Sequence, residues 1–330
     1  MWRSIPLLAS GLALATATLA AQPVVVPQLT ETYSVGYVMV PFSVIDTKGR
    51  PIPDLKSNEI TLLVDGRPVE TDMFEKSTNA PVSFTILVDA SGSMGLAGKM
   101  ESARTAVAAL TARRVKGDDF ALYVFAESEA REVVPFTENP YAILRALAGV
   151  HPYGKTAFFD ALAAMPERSR LGKNPSRAVI LLSDGIDNAS SLTRRDLERL
   201  LEGIAVPIYP LGLRDFAAQP QTSGGRPRED SSDLVLLEEV ANLTGGRMYV
   251  GDRPEQIADA VESLEKILRA QYLVGFSPTG KGGIEYRRIS LRLAGRIQSV
   301  RVRAGYRGTE PPTMTASREK NRRNEKKGSR

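Results

Sequence analysis

Two apolar runs, at residues 82–88 and 178–183, constrain this fold more than any other feature of the sequence. Each is closed by a carboxylate, Asp89 after the first and Asp184 after the second. A strand loses its polar alternation when both of its faces are buried, as in a parallel sheet covered by helices. Amphipathic segments at 100–113, 141–147, 157–170, 194–203, 234–243 and 255–270 read as helices. Segments at 120–125, 132–134, 205–211 and 247–250 read as further strands. Strand and helix thus alternate, which predicts an α/β fold with a doubly wound, mostly parallel sheet and helices on both faces.

The flanks differ. Residues 24–26 and 34–45 are β-rich and run into a Gly- and Pro-marked turn at 46–51, and 60–64 continues the pattern. Asp65-Gly66 is a two-residue hairpin signal that sets 60–64 against 68–74 as antiparallel neighbours. Residues 22–80 therefore read as a small β module, with 77–81 as its linker to an α/β domain at 81–271. Beyond it, 272–276, 287–293 and 299–305 look like strands of a C-terminal β segment, 272–310, able to pair with the first module and make it discontinuous in sequence. The Gly-, Pro- and charge-rich stretch 215–233 reads as a mobile loop and 311–330 as a disordered basic tail.

Composition narrows the chemistry. The chain has no cysteine and one histidine, His151, so thiolate metal sites, disulfides and cysteine nucleophiles are excluded. Any metal must be held by oxygen, which favours Mg²⁺, with Ca²⁺ or Mn²⁺ as alternatives. Arg3, the apolar run 5–17 and the small residues Ala20 and Ala21 read as a cleaved signal peptide, 1–21, which places the protein outside the cytoplasm, secreted or periplasmic. The net charge of +5 is matched by the segment after Pro312, where seven Lys or Arg face two Glu. The body is nearly neutral, so no nucleic-acid-binding face is expected, and any membrane-surface contact is confined to the tail.

The candidate site lies where the two apolar runs end. Ligands of an open α/β sheet bind at the carboxyl ends of its strands. Asp89-Ala90-Ser91-Gly92-Ser93 brings one carboxylate and two hydroxyls there, and Asp184-Gly185 a second carboxylate. Gly154-Lys155-Thr156 precedes a helical segment and offers the hydroxyl of Thr156. Few carboxylates supplemented by hydroxyls and water suit a hard cation that wants about six oxygen ligands.

These residues resemble the von Willebrand factor type A family, whose metal-ion-dependent adhesion site is an Asp-x-Ser-x-Ser loop followed by a distant Thr and a distant Asp. Asp89, Ser91 and Ser93 match the loop, Thr156 the second element and Asp184 the third. The resemblance covers roughly residues 82–272. It implies that these five side chains hold a divalent ion directly or through water, and that a partner protein's carboxylate completes the shell. The flanking β segments also look like those of bacterial secreted members of the family, with 272–276 and 301–306 as recognisable endings. That wider likeness implies architecture more than activity.

Rival readings are weaker. Residues 149–156 fit the phosphate-loop pattern G-x-x-x-x-G-K-T, but such a loop must follow a buried strand, whereas 141–147 reads as a helix. A nucleotide hydrolase is thus the remote alternative. No G-x-S-x-G elbow is present, and His151 reads as a loop residue with nothing to position it as a base. Asp187 and Asn188 either tune the rim of the site or form an Asx-type turn, the turn being the favoured reading, and Leu197, Leu200 and Leu201 suggest a core stripe. The expectation is a non-enzymatic, cation-dependent protein-binding or adhesion module, with a metal-independent structural part of an envelope assembly as the alternative.

Overall fold

A computed structural model describes residues 37–128, 130–202, 204, 206–213, 231–251, 253–278, 285–294 and 299–307. The expected signal peptide, the strand at 24–26, most of the loop at 215–233 and the basic tail lie outside these. No helix among the described residues is long and apolar enough to cross a membrane.

The chain begins with four strands, β1 (Val38–Ile45), β2 (Ile60–Val64), β3 (Arg67–Pro68) and β4 (Met73–Thr78). Asp65 and Gly66 both have positive φ and close the β2–β3 hairpin, as their sequence suggests. The second arm is shorter than expected. It stops at Pro68, and Met73–Thr78 joins another sheet, so residues 77–78 continue a strand where a linker was expected.

Next come β5 (Val82–Asp89), α1 (Lys99–Ala112), β6 (Asp119–Phe125), β7 (Arg131–Thr137), α2 (Pro140–Ala148), α3 (Phe158–Ala163), α4 (Met165–Ser169) and β8 (Ser176–Ser183). They are followed by α5 (Arg194–Leu201), β9 (Ile208–Leu213), α6 (Ser231–Thr244), β10 (Tyr249–Gly251) and α7 (Pro254–Arg269). The six strands form one sheet in the order β10-β9-β8-β5-β6-β7, parallel except for β7 at the edge. Pro135 in β7 suits an edge, where a missing N–H breaks no ladder. The helix expected at 157–170 is two short helices, with Pro166 near the break.

Every residue of β5 is buried, because its alternate side chains feed two different cores. Phe84, Ile86 and Val88 pack with α1, α2 and α7 on one face, and Leu87 packs with α3, α5 and α6 on the other. In α5, Leu197 and Leu201 are buried while Leu200, expected in the core, is 45% exposed.

The chain closes with β11 (Ala270–Phe276), β12 (Tyr286–Leu293), β13 (Ser299–Val302) and β14 (Gly305–Arg307). They complete two antiparallel sheets, β13-β1-β11-β4 and β14-β12-β2-β3, each mixing strands from both ends of the sequence. Val40, Phe42, Leu62, Tyr272, Val274 and Ile289 share one apolar cluster between them. Arg269, at the end of α7, donates two hydrogen bonds to the buried carboxylate of Asp118, at 2.9 and 2.6 Å, where the helix hands over to β11.

Candidate metal centre

Parallel pairing of β5 with β8, from Val82↔Ser176 to Val88↔Leu182, brings Asp89 and Asp184 to the same end of the sheet. Asp89 is fully buried. Its Oδ1 accepts the N–H of Ser91 at 2.9 Å, and its Oδ2 accepts the hydroxyl of Ser183 at 2.7 Å. Burial pushes the Asp89 carboxyl up from 3.8 to about 6. The Ser91 and Ser183 hydrogen bonds hold it down, and the charge of Asp184 adds a smaller upward push.

After Asp89 the chain enters a 3-10 turn, Gly92–Gly95, whose Met94 is fully buried in the core. That anchor fixes the two serines that precede it, and the hydroxyls of Ser91 and Ser93 lie 3.1 Å apart. The loop carrying Thr156 is bonded to this turn: Gly92 N–H donates to Gly154 O at 3.0 Å, and Tyr153 N–H to Ala90 O at 2.8 Å. The approach is close enough that a Cβ on Gly92 would lie 3.1 Å from Gly154 O, tighter than an ordinary contact. Gly154 itself has φ +70°, and a Cβ there would run into Glu127.

Thr156 is buried and tied to the third loop. Its N–H donates to Asn188 Oδ1 at 2.8 Å, and its carbonyl accepts the N–H groups of Asn188 and Ala189, each at 3.0 Å. Asp187 Oδ1 accepts Phe158 N–H at 2.9 Å, capping α3, and also takes the Ser190 hydroxyl. These residues therefore do more than form a local Asx turn: they bond across to the loop of Thr156. Three loops that are far apart in the sequence are bonded to one another at one edge of the sheet, and all five expected residues lie on or directly beside those bonded segments.

Two participants escaped the sequence reading: Ser183, which holds Asp89, and Lys99. The Lys99 ammonium lies 2.8 Å from Asp184 Oδ2, in a pair whose side chains are only 12% and 6% exposed. His151 and Lys155 are exposed. The phosphate-loop alternative meets the obstacle anticipated for it, since Gly149 follows helix α2 and no strand.

Residues 84–186 match the family model described as von Willebrand factor type A domain. This region is similar to a von Willebrand factor type A domain. Such domains mediate protein–protein interactions and often hold a divalent metal. An uncharacterized protein of Borreliella burgdorferi is 23% identical over 186 residues, covering 52% of this chain and 54% of the relative. The chain thus spans about half the length of that curated relative. Among solved structures, a von Willebrand factor type A protein from Catenulispora acidiphila is 17% identical, with a TM-score of 0.46, over 76% of this chain and 75% of that one. An aerotolerance-related membrane protein from Bacteroides fragilis, carrying multiple mutations to serine, is 20% identical, with a TM-score of 0.44, over 57% of this chain and 98% of that one.

The donor chemistry of the site fits a hard divalent cation. Two carboxylates and three hydroxyls offer oxygen alone, which suits Mg²⁺, Ca²⁺ or Mn²⁺ and no softer metal. An ammonium, that of Lys99, rests on one of those carboxylates.

Proposed function

We propose that this chain is a non-enzymatic, divalent-cation-dependent protein-binding module that works outside the cytoplasm, secreted or periplasmic. Asp89, Ser91, Ser93, Thr156 and Asp184 hold the ion, with Mg²⁺ the first choice and Ca²⁺ or Mn²⁺ the alternatives. The bound ion supplies a Lewis-acidic position that a carboxylate of the partner protein can fill. Ser183 keeps Asp89 oriented, and Asn188 and Asp187 fix the segment that carries Thr156.

The observation that carries this reading is the bonding of the three loops into one rim, with only oxygen donors among the five candidates. A partner would meet apolar surface there as well. Leu96 and Tyr153, on two of those loops, are 63% and 62% exposed. Exposed apolar side chains beside a charged centre are common in protein interfaces, where aromatic residues are enriched.

One observation favours a second reading. The pairing of Lys99 with Asp184 gives one of the two carboxylates a partner from the chain itself, as a metal-independent structural part of an envelope assembly would require. Crosslinking carried out in Mg²⁺ and, in parallel, after addition of chelator separates the two. Loss of the partner on chelation, and in an Asp89→Ala variant, supports cation-dependent binding; persistence in both supports the structural role.

A further inference from the structure

The contact between Lys99 and Asp184 carries the argument further. Lys99 is the first residue of α1, where a cation opposes the helix macrodipole and gains nothing from the helix itself. The chain reaches this position through Ala97 and Gly98, both left-handed at φ 52° and 74°, a conformation that a residue with a side chain rarely adopts. The turn brings Lys99 back over the site, and its side chain is mostly buried against Asp184.

We propose that Lys99 is a built-in counter-cation of the centre: it neutralises Asp184 while no divalent ion is bound, must leave Asp184 as the ion enters, and so holds the affinity for the ion down. The inference rests on the divalent-cation reading above. Its physical basis is charge balance. Asp89 and Asp184 carry two negative charges and Lys99 one positive charge in a largely buried setting. A divalent ion added to an undisplaced ammonium would set three positive charges against two negative ones, and buried charge of one sign is costly when left unpaired. The lysine stem is long and flexible and its ammonium strongly hydrated, so release into water is the cheaper course.

The test uses the full chain and magnesium or manganese chloride as the probe. Isothermal titration calorimetry compares the unmutated protein with Lys99→Gln, which removes the charge, and Lys99→Arg, which keeps it. The expected result is a dissociation constant lower by roughly tenfold or more for Lys99→Gln, and little change for Lys99→Arg. A second readout needs no variant. Acylation of Lys99 by an amine-reactive ester, followed by mass spectrometry of the unmutated protein, should increase when the ion saturates the site. Should Lys99→Gln misfold, this labelling decides the matter. An unchanged affinity in Lys99→Gln, or labelling that does not respond to the ion, overturns the counter-cation role while leaving the metal centre intact. If neither the unmutated protein nor Lys99→Gln binds an ion, the metal-centre reading fails and the counter-cation role falls with it.

Discussion

Replacing Asp89 by asparagine should make the ion-free protein more stable at neutral pH, by an amount that the burial of this carboxyl sets. The group ordinarily titrates at 3.8 and in the folded protein at about 6. The folded state therefore binds this proton more tightly than the unfolded chain does. Below about pH 4 both states hold it, and the carboxyl costs nothing. As pH rises through 6 the folded protein must ionise a buried group, and stability falls by about 3 kcal/mol, at roughly 1.4 kcal/mol for each tenfold difference in proton affinity. Asparagine has nearly the same shape, keeps an oxygen acceptor for Ser91 N–H and can donate to the Ser183 hydroxyl, so geometry is preserved while the charge is lost. Urea denaturation in chelator, followed across pH, should show Asp89→Asn more stable than the unmutated protein by up to about 3 kcal/mol near neutrality, the gain shrinking toward zero by about pH 4. An Asp89→Asn variant less stable at every pH, or more stable by a constant amount, would refute this reasoning.

Other perturbations test the scaffold of the site. Gly92→Ala places a methyl group 3.1 Å from Gly154 O, so it should cost roughly 1–3 kcal/mol in thermal or urea unfolding and weaken ion binding in calorimetry. Asp118→Ala removes the two-point partner of the Arg269 guanidinium, which is 7% exposed and keeps only Glu265 and the Ala80 carbonyl, and should destabilise the fold by about 3 kcal/mol in urea titrations. Asp187→Ala removes the acceptor of Phe158 N–H and the Ser190 hydroxyl. The expected loss is about 0.5–2 kcal/mol, with faster hydrogen exchange at the start of α3 as the local readout.

Much of the architecture was legible in the sequence because the buried strands declare themselves. Residues 178–182 are apolar throughout and 82–88 are interrupted only by Ser83 and Thr85, and the structure buries both faces of those strands, the two hydroxyl residues included. Asp89 and Asp184 were legible as candidates for the same reason, since they stand where β5 and β8 end. What local sequence hides is cross-chain pairing. Ser183 finds Asp89, and Lys99 finds Asp184, at separations of 94 and 85 residues. Asp187 and Asn188 have the composition of a turn, and only the folded chain brings them to the segment of Thr156. A signal for Lys99 did exist, a basic residue at the one helix end that disfavours it. The hairpin arm after Gly66 was overestimated because tertiary pairing with Ala270–Phe276, far along the sequence, claims Met73–Thr78.

Crystals soaked in Mn²⁺ and measured at the manganese absorption edge test the central claim most directly. The account predicts an anomalous peak bounded by the oxygens of Asp89, Ser91, Ser93, Thr156 and Asp184, with the Lys99 ammonium moved off Asp184. No peak at that rim under saturating ion, or a peak held by other residues, would contradict it.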